Sequence, residues 1–121
     1  MSQSSPVTAT DIFCLRLRLS THPKIPITQE KLAELISVAP VTVGYWERGG
    51  QPRGHNARKI FRLKIILDAL ENTIERENRL RFLERSHPLL GDDRPIDFIA
   101  SDDGFSEILE KIRVVASNSR F

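Results

Sequence analysis

Apolar residues recur three and four positions apart along most of this chain, the period of helices packed on one face. One early segment is ambiguous. Phe13, Leu15, Leu17 and Leu19 alternate as a strand would, while Ile12, Leu15 and Leu19 fit one helical face with Thr10 or Asp11 as cap. Helix is the preferred reading, because the segments after it are helical. His22-Pro-Lys-Ile-Pro26 is a stop, since two prolines three residues apart do not fit a helix interior. Thr28, with Glu30 in the first turn, opens a helix whose stripe is Leu32, Ala33, Leu35 and Ile36. Ser37-Val38-Ala39 interrupts it, and Pro40 suits the first turn of a second helix. Val43 and Trp46 line the inner face of that helix, and Gly49-Gly50 ends it. After a loop at 51–56, a long helix is predicted from near Ala57 to about Glu84, with Ile60, Leu63, Leu67, Leu70, Ile74, Leu80 and Leu83 inward. Ser86-His-Pro88 ends it; a short helix around Ile96–Ala100 and a final one from Phe105 to about Val115, buried along Ile108, Ile112 and Val115, complete an all-α pattern.

Composition narrows this to one globular domain, or two small modules sharing a core. The 121 residues are 40% hydrophobic and 28% charged. Apolar runs such as Ile65-Ile66-Leu67 are too short to span a bilayer, and the polar start MSQSSPVTAT lacks a positive n-region, so neither membrane span nor signal peptide is expected. A lone Cys14 allows no internal disulfide and fits a reducing, cytoplasmic setting. The net charge of +2 hides a split. Residues 1–64 carry ten Lys/Arg and four acids, a balance of +6, and residues 65–121 carry eight and twelve, a balance of −4. A basic half suits a polyanion that the acidic half would repel.

Nothing in the spacing suggests catalysis, a cofactor or a metal. His22, His55, His87 and Cys14 are isolated beside turn residues. Asp92, Asp93, Asp97, Asp102 and Asp103 do not match a calcium loop, and no glycine-rich loop follows a strand. No small-molecule substrate is expected. Two short helices joined by a tight turn in a basic context are instead the layout of a helix-turn-helix. The charges Arg53, His55, Arg58, Lys59 and Arg62 come directly after it, where they would face a phosphate backbone.

The run Ile27-Thr-Gln-Glu-Lys-Leu-Ala-Glu-Leu35, then Val38, then Val41-Thr-Val-Gly-Tyr-Trp-Glu-Arg-Gly49, resembles the Xre, or lambda-repressor-type, helix-turn-helix. The resemblance implies that Gln29 opens the positioning helix and that the Pro40–Arg48 helix enters the major groove. Leu32, Ala33, Val43 and Trp46 would be packing, and Glu47 a structural acid paired with a neighbouring base. Candidate DNA-contacting residues are then Gln29, Pro40, Val41, Thr42, Gly44, Tyr45 and Arg48, with Arg53, His55, Arg58 and Lys59 behind them. Pro40, Val41, Gly44 and Tyr45 stand at outward positions where Ser, Arg, Asn or Gln are more usual. Val41 and Thr42 can touch a thymine methyl and Tyr45 a phosphate or base edge, but none makes the bidentate guanine contact of an arginine.

A second resemblance covers the C-terminal half. Leu80-Arg-Phe-Leu83, Pro88-Leu-Leu-Gly91, Arg94-Pro-Ile-Asp-Phe98, Gly104, Ile108 and Ile112 are similar in order to the toxin-binding domain of Xre/MbcA/ParS-type antitoxins. Asp92-Asp93 departs from it, where small residues or glycine are common. The resemblance implies an operator-binding antitoxin, a homodimer on palindromic DNA, which neutralises a RES-domain toxin that degrades NAD. Candidate toxin-binding residues are Leu90, Arg94, Pro95, Asp97, Arg113, Arg120 and Phe121. The expected organisation is a flexible tail at 1–9, a helix-turn-helix module at 10–74, a long linking helix, and a small helical toxin-binding module at 75–121. Two other readings stay open: a free-standing Xre-family repressor with no toxin, and a MerR-like regulator, which shares Thr42–Gly49 but would need a wing-like strand after Gly50.

Overall fold

The computed structural model describes residues 7–101 and 103–118. Among them every regular element is helical: α1 (Ala9–Arg18), α2 (Gln29–Ile36), α3 (Pro40–Glu47), α4 (Gly54–Leu70), α5 (Arg76–Glu84), 3₁₀ turns at Pro88–Leu90 and Pro95–Ala100, and α6 (Phe105–Asn118). The ambiguous first segment is a helix. Its cap is Thr8 rather than Thr10 or Asp11: the Thr8 hydroxyl accepts from the Asp11 N–H at 3.1 Å, and the Asp11 carboxylate accepts from the Thr8 N–H at 2.8 Å. Val7 packs against the core and Ala9 is helical, so residues 7–9 belong to the fold and not to a tail. Positions 1–6 lie outside the described residues.

The long helix expected from Ala57 to Glu84 is two helices. α4 starts three residues early, at Gly54, whose φ of 53° suits glycine. It stops at Leu70, where Asn72 and Thr73, both weak helix formers, come after Glu71. The N–H groups of Thr73 and Ile74 both donate to the Leu70 carbonyl at 2.9 Å, and Ile74 tucks into the core. Arg79 reaches back from α5 and donates to the carbonyls of Ile74 at 3.1 Å and Glu71 at 3.2 Å, which satisfies the frayed end. Periodicity could not reveal the break, because Ile74 keeps the phase of the stripe.

Buried side chains form one cluster running from Ile12 to Ala116, with Phe82, Leu63 and Ile112 fully enclosed. The two charge halves therefore share a single core, and residue 74 does not separate two cores. The second 3₁₀ turn is the keystone, touching α2, α4, α5 and α6. Its Ile96 and Ile99 are buried, and the Ile99 carbonyl accepts from Arg62 at 3.0 Å. Before it, Gly91 and Asp92 both take left-handed backbone, at φ 68° and 64°. This is the turn at which the resemblance favours small residues, and aspartate is among the few others that tolerate it.

Arg94 and Asp97 close the second 3₁₀ turn on itself, the guanidinium donating to the carboxylate at 2.7 Å. That hydrogen bond holds the Asp97 carboxyl below its ordinary value. Its contribution to stability is present above about pH 4 and is lost as pH falls through the lowered value. Asp97→Asn is expected to lower the melting temperature at neutral pH and to flatten the fall of the profile below about pH 4. Melts at stepped pH check this.

Candidate nucleic-acid interface

Three short-range decisions build the α2–α3 unit. Thr28 caps α2 through a hydrogen bond from the Lys31 N–H at 3.0 Å. Ser37 then turns the chain in the left-handed region at φ 59°, and Val38 closes back on the Ala33 carbonyl at 3.0 Å. Ala39 offers no capping side chain to α3, but Pro40 at its first turn has no N–H to satisfy. Leu32, Ala33, Ile36, Val43 and Trp46 are all buried where the two helices meet. α3 ends at Gly49, with φ at 107°.

Glu47 ties three helices together at this unit. Both its carboxylate oxygens accept from Arg16 of α1 at 2.9 Å, and Gln29 of α2 donates its side-chain amide to the same carboxylate. Arg16 also donates to the Ile27 carbonyl at 2.8 Å, so its planar fork is shared between α3 and the approach to α2. The pair is largely shielded, with side-chain exposures of 16% and 14%.

The outward surface carries most of the expected residues. Pro40, Val41, Tyr45 and Arg48 are exposed, while Gln29 and Thr42 are half-buried at its edge. Arg53, His55 and Arg58 are exposed around the start of α4, beside α3 in the chain. Between Leu35 and Leu67 the one acid is Glu47, already bound to Arg16, so this face carries net positive charge.

Two of the expected residues do not belong on that surface. Lys59 is 7% exposed, and its ammonium donates to the Ile36 carbonyl at 2.8 Å, capping the C-terminus of α2. It lies on the row Lys59, Leu63, Ile66, Leu70, which faces inward, so its ammonium is directed into the core and not onto that surface. Gly44 is buried too. A Cβ there would come within 3.3 Å of both Arg48 Nη1 and Gln29 Oε1, so the glycine supplies room for those two side chains instead of an outward contact.

The proposed toxin-facing set divides in the same way. Leu90 and Pro95 are buried and hold the core, because the first 3₁₀ turn points Leu90 inward and leaves Leu89 exposed. Arg94 and Asp97 are exposed but bound to each other, and Arg113 is exposed and pairs with Glu110 at 2.9 Å. Arg120 and Phe121 lie outside the described residues. Sequence reasoning missed Leu89 and Val114, which are 61% and 51% exposed and line an apolar hollow of about 240 Å³ with the stems of Glu110 and Lys111. Helical phase held the signal for one of them, since Ile112 and Val115 take the inner face and leave Val114 outside.

Among the described residues, no helix is long and apolar enough to cross a membrane. Residues 27–63 match the family described as Helix-turn-helix. The chain also shares its fold with a chain of the crystal structure of the M. tuberculosis MbcT-MbcA toxin-antitoxin complex. The TM-score is 0.66 at 20% sequence identity, over 93% of this chain and 96% of that one. Curated protein sequences give no match.

Proposed function

We propose that this chain is an antitoxin that binds its operator through α3, represses its own operon, and neutralises a cognate RES-type toxin through its C-terminal half. It performs no catalytic step of its own. The observation that carries the DNA-binding part is the exposed outer face of α3 flanked by the exposed cations Arg48, Arg53 and Arg58, set on a helix-turn-helix core. A homodimer would place two such helices about one helical turn apart on a palindromic operator. The antitoxin part is supported by the shared fold with a chain of a toxin-antitoxin complex, which extends across the C-terminal half. There Arg113, Leu89 and Val114 offer accessible surface.

Charge reversal tests the first part without disturbing the core. Arg53→Glu combined with Arg58→Glu is expected to weaken binding to all duplexes alike and to lower the salt slope by about two. Gel shifts at stepped salt read this, and an unchanged slope removes α4 from the interface. For the second part, co-expression with the protein encoded beside the gene is expected to yield a stable complex. Its absence at native expression levels would leave a free-standing repressor.

A further inference from the structure

The outward face of α3 offers methyl groups and an aromatic ring where a hydrogen-bonding surface would offer amides and guanidiniums. Val41 is 71% exposed and Tyr45 57%, and their four-residue spacing stacks them one turn apart on one side of the helix. Of the neighbouring polar groups, Gln29 is engaged with Glu47, and Arg48 stands at the C-terminal end of the helix, beyond Tyr45. The Arg48 and Gln29 side chains lie against Gly44. Tyr45 is seated: its ring lies on Gly50, where any Cβ would collide with it, and its carbonyl accepts from the Gly50 N–H at 3.0 Å. The result is a fixed apolar ridge, Val41–Tyr45, with Pro40 exposed beside it.

We propose that this ridge reads the 5-methyl group of pyrimidines, so that the protein selects duplexes presenting thymine, or equally 5-methylcytosine, against Val41. The inference rests on the DNA-binding reading of α3 and names what that helix recognises. In the major groove, thymine differs from cytosine by an acceptor in place of a donor and by its methyl group. Valine has neither donor nor acceptor, so the methyl is the difference it senses, through apolar area withdrawn from water. Cytosine methylated at C5 carries the same methyl at the same place. Methylation of a cytosine against the ridge therefore adds a contact instead of blocking one.

The test begins with a duplex selected by the full chain from random-sequence DNA, resynthesised with each thymine in turn replaced by uracil. Uracil keeps every hydrogen-bonding group and loses only the methyl. At one or two positions in each half-site, uracil is expected to weaken binding about fourfold, the factor for one buried methyl-sized group. Cytosine there weakens it further, and 5-methylcytosine recovers part of that loss. Val41→Ala is expected to bring the thymine-to-uracil ratio close to one, with a thermal melt confirming that the exposed substitution leaves the fold intact. If thymine and uracil duplexes bind alike at every position, the methyl reading falls while DNA binding stands. A ratio that survives undiminished in Val41→Ala removes the ridge as the reader. Failure of any duplex to be enriched overturns both readings.

Discussion

A Lys59→Glu variant is expected to lose its folded state, and its DNA binding only as a consequence. The Lys59 ammonium is 7% exposed and donates to the Ile36 carbonyl at 2.8 Å, so a carboxylate in its place sets an acceptor against an acceptor inside the core. Leaving a buried charge uncompensated costs on the order of 3–5 kcal/mol. That is much of the roughly 5–15 kcal/mol available to a domain. Lys59→Met keeps the length of the side chain and orphans only the carbonyl, for about 1–3 kcal/mol. Arg58→Glu, one position away on the exposed side of α4, should cost far less stability than Lys59→Glu while weakening DNA binding. Thermal melts run beside gel shifts separate the three variants. If Lys59→Glu melts with the parent protein, the ammonium is not the cap of α2.

That contrast shows where the sequence was legible and where charge concealed the fold. The α2–α3 unit could be read almost residue by residue, because Thr28, Pro40 and Gly49 act through local backbone geometry and Leu32, Val43 and Trp46 keep one face. Long-range capping could not be read. Lys59 ends α2, Arg79 ends α4, and Arg76 donates to the Leu17 carbonyl at 2.9 Å near the end of α1. Each is a cation spent on backbone carbonyls near the end of a helix other than its own, and no count of basic residues distinguishes it from one facing solvent. The row Lys59–Leu63–Ile66–Leu70 did mark Lys59 as inward, but its charge argued the other way. The split of +6 and −4 likewise describes sequence more than surface, since Arg18 pairs with Asp68 at 2.7 Å and Lys31 with Glu84 at 2.8 Å across it. In the C-terminal half, Leu89 and Leu90 are adjacent and equally apolar, and only the 3₁₀ geometry decides which is buried.

Glu47→Ala is the second substitution with a large expected effect, because one carboxylate joins α1, α2 and α3. Removing it leaves the Arg16 guanidinium, whose side chain is 16% exposed, with the Ile27 carbonyl and the Phe13 ring as partners among the described residues, and frees the Gln29 amide at the edge of the DNA face. Loss of one member of a shielded pair costs about 3–5 kcal/mol when fully buried. The residual exposure here brings the expectation to about 2–3 kcal/mol, because water screens part of the pair. Glu47→Gln keeps an acceptor for Arg16 and is expected to lose less. The double variant Arg16→Met with Glu47→Ala removes the stranded charge and should recover much of the stability, which yields a coupling energy of about 1–2 kcal/mol from the complete cycle. DNA binding should not recover with it, since Gln29 then lacks the acceptor that orients it and α3 lacks its tie to α1. Urea midpoints for the four proteins of the cycle measure the first effect, and gel shifts on folded samples the second. Coupling near zero, or a double variant that binds DNA like the parent, would show that the carboxylate neither holds the three helices together nor positions the interface.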